Sequence, residues 1–180
     1  AVQTYAVQFQ EESPQIQRLE LRLPEGQELK EDQTVMLDVI AHYQDGSVAS
    51  LQADQIDVAT VAGSQGKAVA SKKGLELLEA GLVHLEANFQ GQTGELTFTI
   101  TPNPEEKTVV KVRPVRISTD RNVLPALPET VLVEYDKGFP KEKRVIWDAV
   151  TADQVKDYHS FTVTGHVEGV EKEAQAQVTV

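Results

Sequence analysis

The fold class is decided by residues 83–100, which read VHLEANFQGQTGELTFTI. Apolar residues occupy every second position up to the Gln90-Gly91 pair and again from residue 96 to residue 100. Such alternation places one face of a strand on a core and the other in water. A polar residue followed by glycine between two alternating runs is typical of a hairpin turn. The stretch therefore predicts a β-hairpin with one buried face.

Period-two runs recur along the rest of the chain, at residues 19–23, 35–43, 56–58, 110–112, 131–135, 145–147, 161–167 and 174–180. Gly, Pro and Asp turns separate them, which is typical of a sandwich or barrel. Residues 70–78 could form a helical turn, but Leu75, Leu77 and the following Ala80-Gly81 suit a short strand and turn better. We predict an all-β chain.

The two halves of the chain share an outline. Tyr43 is followed by a turn ending at Gly46, and Tyr135 by a turn ending at Gly138. The hairpin-like tail of the first half recurs at residues 163–178. Internal repetition on this scale predicts two related domains in tandem, both immunoglobulin-like β-sandwiches.

The segment at residues 101–107 holds two prolines and a charge cluster, which stop a strand and stiffen the backbone. We place the domains at residues 1–103 and 104–180. The alternating run at residues 2–10 is either the first strand of this pair or the last strand of a preceding domain, so residues 1–15 fit either assignment. The chain begins at Ala1 without methionine and ends on a strand-like run at Val180, so we expect a segment of a larger protein.

Composition and charge narrow the classes of function. The chain has 180 residues, 40% of them apolar and 25% charged, as expected for a folded chain. It has no cysteine, so disulfides, thiol nucleophiles and cysteine-based zinc sites are excluded. The net charge is −11, which would repel phosphate backbones and anionic lipid. We expect no nucleic-acid partner, no membrane insertion and a monomer.

Three stretches of the second half resemble the bacterial immunoglobulin-like domains of group 4: LPETVLVEYD at 127–136, VIWD at 145–148 and FTVTGHVEG at 161–169. Residues 137–140 depart from the plain Asp-Gly turn of that family, which affects loop shape. The first half is similar to the group 2 branch in IQRL at 16–19, YQDG at 43–46 and GLV at 81–83.

These resemblances imply a setting that the periodicity alone does not. Such domains serve as spacers or adhesive modules in large Gram-positive exoproteins, many of which carry a glycoside hydrolase domain, such as a β-galactosidase, and a wall anchor. They imply an extracellular, secreted or cell-wall-attached module whose partners are catalytic or adhesive domains of the same polypeptide.

The aromatic residues are the first candidates for ligand binding. Trp147 shares strand parity with Val145, so we predict that it lies in the core of its sandwich, rather than stacking on a sugar. Phe139 and Tyr158 lie at loop positions and are the candidates for an exposed surface that contacts a host glycan or protein.

Asp45, Asp54 and Asp57 are the candidates for a calcium site, because carboxylate oxygens are the ligands that calcium prefers. The alternative is turn chemistry, since Asp45-Gly46 is a hairpin signal. The four histidines lack the spacing of a zinc site. No nucleophile motif or phosphate-binding loop is present, so we predict no catalytic residues and no cofactor.

Three hypotheses follow. The first is a non-catalytic accessory or spacer module of a larger surface protein. The second is an adhesive or carbohydrate-binding module that uses Phe139 or Tyr158. The third is a calcium-stabilised sandwich, in which the metal makes the module rigid.

Overall fold

The computed structural model describes residues 13–180, so the strand predicted at residues 2–10 lies outside the described residues. The all-β prediction is confirmed. The strands are β1 Ile16–Arg22, β2 Thr34–Val35, β3 Asp38–Tyr43, β4 Val48–Leu51, β5 Asp57–Thr60, β6 Lys67–Ser71, β7 Gly74–Glu79, β8 Gly81–Phe89, β9 Gln92–Ile100, β10 Val109–Val112, β11 Val115–Ser118, β12 Thr130–Tyr135, β13 Lys141–Trp147, β14 Ser160–Val167 and β15 Ala174–Thr179. Short 3-10 helices at Ala53–Gln55 and Ala152–Val155 interrupt the loops.

The chain packs as two compact units. Among the described residues, the first contains residues 13–29, Thr34–Leu77 and Gly81–Ile100, and the second contains Lys30–Gln33, Leu78–Ala80 and Thr101–Val180. Two short segments that lie early in the sequence therefore pack with the second unit. The predicted domain limits at residues 103 and 104 remain a prediction.

The first unit is built from three small sheets with strand orders β1-β3-β4, β2-β7-β6 and β5-β8-β9. The hairpin predicted at residues 83–100 is confirmed as β8 and β9, which pair from Gly81 opposite Ile100 to Phe89 opposite Gln92. Gln90 and Gly91 form its two-residue turn, both with positive φ (48° and 79°), as a turn that follows the twist of the strands requires. The ambiguous residues 70–78 form strands β6 and β7 rather than a helical turn.

The alternating run at residues 35–43 is two strands rather than one. β2 pairs with β7, whereas β3 pairs with β1 and β4, so the chain changes sheets at Met36 and Leu37. Val35, Leu37 and Val39 are all buried, so the core-facing parity survives the change of partner. The sequence pattern records burial, which is why it could not reveal the break. The core of this unit is formed by Leu21, Val35, Leu37, Val39, Ala68, Leu75, Leu77, Val83, Leu85, Ala87 and Ile100.

The second unit holds a six-stranded sheet of order β10-β12-β13-β14-β15-β11. β13 pairs with β12 through residues 141–144 and with β14 through residues 145–147. This strand therefore joins the two parts of the sheet. β11 was not predicted, and it runs parallel to β15 at the end of the sheet. The prediction that Val110 faces the core is wrong: a bulge between Val109 and Lys111 shifts the register, so Val110 is 54% exposed.

The second unit has two neighbouring apolar clusters. One centres on Val131, Val133, Val145, Val167, Val170 and Ala174, and the other on Val163, Ala176 and Val178. Trp147 is partly buried and packs against both clusters, and its indole N–H donates to the Pro128 carbonyl over 2.7 Å. The prediction that Trp147 lies in the core is therefore confirmed in part, because the residue packs against both clusters but is only partly buried. In the part of the chain that the structure describes, no helix is long and apolar enough to cross a membrane.

Candidate functional site

The segment at residues 101–107 was predicted as a stiff linker, and the structure shows what holds it in the second unit. Glu31 N–H donates to the Thr101 carbonyl over 3.0 Å, and residues 30 and 101 form a parallel bridge. The side chains of Glu31 and Asp32 then meet two lysines, one in this segment and one at the start of β13. We call Glu31, Asp32, Lys107 and Lys141 the ion cluster.

Asp32 lies at the centre of the ion cluster. Its Oδ1 accepts the Phe139 N–H over 3.0 Å. Its Oδ2 accepts the Asn103 side-chain amide over 3.2 Å and the Lys107 ammonium. The carboxylate thus ties the segment at 101–107 to the turn between β12 and β13.

Glu31 makes a second set of bonds beside the first. Its Oε1 accepts the Lys141 ammonium over 2.9 Å and the Ala80 N–H over 2.8 Å. Its Oε2 accepts the Asn103 N–H over 3.2 Å. Asn103 therefore donates to both carboxylates, and its side-chain oxygen accepts the Glu105 N–H over 3.2 Å.

The four charged side chains of the ion cluster are largely withdrawn from water. The exposed fractions are 7% for Asp32, 10% for Lys107, 13% for Glu31 and 18% for Lys141. Burial by itself raises the pKa of both carboxyl groups, but the lysine and backbone hydrogen bonds outweigh it and hold each pKa below its ordinary value. Both carboxylates are therefore ionised at neutral pH, and each charge has a partner of opposite sign.

Gly138 is required by the ion cluster. Its φ is +78°, and a β-carbon placed there would lie 2.5 Å from Asp32 Oδ1 and 2.8 Å from Lys107 Nζ. A glycine is needed for the backbone conformation and for the space that the carboxylate occupies. Residues 137–140, where the sequence departs from a plain Asp-Gly turn, therefore include two residues that contact Asp32, namely Gly138 and Phe139.

Phe139 is placed differently from the expectation of an exposed loop aromatic. It is only partly exposed, and its backbone N–H is committed to Asp32. Tyr158 is 75% exposed, and the Arg121 guanidinium lies 5.2 Å from its ring centre. Arg121 is itself fixed by a bond to the Lys156 carbonyl over 3.1 Å. Of the two ligand candidates, only Tyr158 presents an open ring.

The calcium candidates are not brought together by the described structure. Asp45 accepts the N–H and hydroxyl of Ser47 within the β3–β4 turn, over 2.8 and 2.5 Å. Asp54 lies in the first 3-10 helix and Asp57 begins β5, both with exposed side chains. Within residues 13–180 no group of three or more His, Cys, Asp or Glu residues could hold a metal ion.

Sequence reasoning missed the ion cluster. A run of charged residues such as 141–144 is usually solvated at a strand edge, whereas Lys141 is mostly buried against Glu31. The available signal was an adjacent Glu31-Asp32 pair outside any alternating run, together with Asn103 ahead of a proline. Neither feature indicates which lysines the two carboxylates contact, because the lysines lie more than 70 positions away along the chain.

Comparison with known proteins bears on the second half of the chain. Residues 112–170 match the family model of the bacterial Ig-like domain, group 4, which is about a third of the sequence. The predicted group 4 resemblance is confirmed over those residues, while the group 2 resemblance of the first half remains a prediction. No curated protein matches the chain by sequence.

Among solved structures, the chain is similar to parts of the surface-layer protein SbsC. Against domains 1–6 of that protein the TM-score is 0.37 at 11% identity, covering 94% of this chain and 28% of the other. Against domains 4 and 5 the TM-score is 0.33 at 11% identity, covering 92% and 99%. The chain thus spans about 28% of the length of the first of these structures. Residues 112–170 are those for which a bacterial Ig-like family is identified.

Proposed function

We propose that this chain is a non-catalytic accessory module of a larger bacterial surface protein, with a structural role as a spacer. The observation that carries the proposal is the ion cluster, in which four largely buried charged side chains and Asn103 hold the segment at residues 101–107 to folded structure. A segment that only joined two domains loosely would need none of these bonds. The match to a bacterial Ig-like family supports a surface setting for the module.

A sandwich fold does not by itself imply an activity, since function on a sandwich resides in sites added to it. A parent with glycoside hydrolase activity, such as a β-galactosidase, is the finer version of the proposal, and it rests only on the resemblance of the sequence. An extracellular, secreted or wall-attached location belongs to the same proposal.

The spacer role is tested by replacing the chain. A small antigen-binding domain is displayed on cells through this 180-residue chain or through a Gly/Ser linker of equal length, and capture of antigen-coated beads is counted under flow. We expect the folded chain to capture more beads, because each folded unit holds its ends at a fixed separation, whereas a Gly/Ser linker of that length samples a wide range of end-to-end distances. Equal capture by the two stalks would contradict the spacer role.

Tyr158 supports the adhesive alternative, because an exposed ring held by Arg121 is a typical contact for a sugar or a protein. Two measurements on the intact chain separate the alternatives: binding to a glycan array and thermal unfolding. Each is made with calcium and then with chelator. We expect no saturable binding and the same melting temperature in both conditions. Saturable binding that is lost in Tyr158→Ala would favour the adhesive role, and a lower melting temperature in chelator would favour the calcium hypothesis.

A further inference from the structure

A hollow lies at the edge of the second unit, and none of the residues of the ion cluster lines it. Its volume is about 560 Å³, and it is lined by Pro114, Arg116, Ile117, Ser118, Gln177 and Thr179. No carboxylate lines it, although the chain has 28 acidic residues against 17 basic ones. The hollow therefore combines one cation with neutral hydrogen-bonding groups.

The polar groups of the hollow are arranged as donors. Gln177 Oε1 accepts the Thr162 hydroxyl over 3.2 Å, which leaves the Gln177 amide N–H₂ to donate outward. Arg116 is exposed, and within residues 13–180 it makes no ion pair or side-chain hydrogen bond. An unpaired guanidinium beside an oriented amide is suited to a carboxylate, which only accepts.

The hollow borders an open strand edge. β11 is the last strand of the six-stranded sheet and pairs only with β15 among the described strands. The other side of such a strand offers backbone N–H and C=O groups to a further strand. β11 carries a single charged residue, Arg116, and its outward-facing positions alternate with Val115 and Ile117, which face inward.

We propose that this edge is a docking site for an extended acidic peptide segment of a partner protein. The segment adds as a strand beside β11 and places an Asp or Glu side chain in the hollow, on Arg116 and Gln177. Charge complementarity favours an acidic partner, because Arg116 is the only charged residue of the hollow. A peptide is favoured over an acidic sugar, because the hollow has no aromatic ring to stack on a pyranose, while the edge offers main-chain bonds. This goes beyond the spacer role and does not depend on the ion cluster.

The test is an NMR titration of the intact chain with the capped peptide Thr-Val-Glu-Val-Glu-Val-Thr. We expect saturable shifts of the backbone amides of residues 115–118 and of the Gln177 side-chain amide. A peptide with both glutamates replaced by glutamine should bind about tenfold less tightly, since it loses a charge-assisted bond. A peptide with prolines at its fourth and fifth positions should not bind, because neighbouring residues of a strand direct their N–H groups to opposite sides, so one of the two prolines must remove a ladder bond.

Two matched variants separate the site from general charge attraction. Arg116→Gln and Lys111→Gln each remove one exposed positive charge, and Lys111 lies on β10 at the opposite end of the sheet. We expect about a tenfold loss of affinity for the first and less than a twofold change for the second. The proposal is overturned by an absence of shifts at β11, by equal losses in both variants, or by undiminished binding of the proline peptide. Sodium glucuronate that binds as tightly as the peptide would also overturn it, in favour of a sugar-acid site.

Discussion

Two of the ion-pair groups among residues 13–180 both centre on carboxylates but differ in their exposure to water. On β1 and β3, the Glu20 carboxylate lies 2.6 Å from Arg22 Nε and 2.7 Å from His42 Nε2. Its side chain is 24% exposed and that of Arg22 is 60% exposed. In the ion cluster of the second unit the corresponding fractions run from 7% to 18%. The pKa of the carboxyl group is below its ordinary value in both places.

The difference teaches what each group can do. The largest cause of the lowered pKa of Glu20 is its hydrogen bond to Arg22. Water screens such a surface pair, which therefore contributes little to stability. In the ion cluster the largest single influence on the pKa of each carboxyl group is burial, which raises it. The hydrogen bonds together outweigh burial, so each pKa is lowered. A buried pair gives little net stability compared with apolar residues, but breaking it is costly. The ion cluster therefore fixes the positions of residues 101–107 and of the β12–β13 turn, whereas the Glu20 group lies on the surface and holds no separate segment in place.

The largest expected effect comes from breaking the ion cluster at its centre. Asp32→Ala leaves Lys107 buried without a counter-charge, so we expect the free energy of unfolding of the second unit to fall by about 3 kcal/mol. Urea unfolding followed by the fluorescence of Trp147, the only tryptophan, reports on that unit. Glu20→Ala is the matched control and should leave the same transition unchanged.

A double variant distinguishes a broken pair from a lost segment. Asp32→Asn combined with Lys107→Met removes both charges but keeps an acceptor for the Phe139 N–H and suits the positive φ of residue 32 (68°), so we expect it to recover much of the stability lost in Asp32→Ala. If the double variant is as unstable as Asp32→Ala, the loss does not come from an unpaired lysine. Equal effects of Asp32→Ala and Glu20→Ala on the Trp147 transition would erase the contrast between the two groups.

A smaller effect is expected from the two related turns that follow Tyr43 and Tyr135. Gly46 has φ +84° with open space around its α-carbon, whereas a β-carbon at Gly138 collides with Asp32. We expect Gly46→Ala to cost about 1 kcal/mol, from backbone strain alone. Gly138→Ala should cost about 2 kcal/mol, because the carboxylate must also shift. Calorimetry of both variants measures the pair, and equal costs would mean that the ion cluster does not need the space at Gly138.

Alternation was sufficient to predict the fold, because it records which side chains are buried. It located the β8–β9 hairpin at residues 83–100 and the strands of residues 131–135 and 161–167. Alternation failed where the pairing of a strand does not follow from its pattern of burial. This occurs at the change of sheet between β2 and β3 and at the bulge beside Val110. β11 was missed because its four residues hold only two that face inward.

The candidate site could not be predicted in the same way. Asp32 lies 75 positions from Lys107 and Glu31 lies 110 from Lys141, and no local pattern links groups that far apart. A charged residue is exposed by default, so Glu31-Asp32 and Lys141 indicated solvent until the fold brought them together. Phe139 was predicted to be an exposed aromatic because it lies at a loop position. The structure shows it partly exposed, with its backbone N–H donating to Asp32.

The most direct test of the ion cluster is a carboxyl-carbon NMR titration of Asp32 and Glu31 in the intact chain. The account predicts that both pKa values lie below the ordinary values of 3.8 for Asp and 4.5 for Glu. Because the folded pKa is the lower one, the stability from these groups is fully present above about pH 5 and is lost as pH falls through the folded pKa. Lys107→Met should raise the pKa of Asp32, since burial is then opposed by fewer bonds. A pKa of Asp32 at or above its ordinary value in the unaltered chain, or one unchanged by Lys107→Met, would contradict the account.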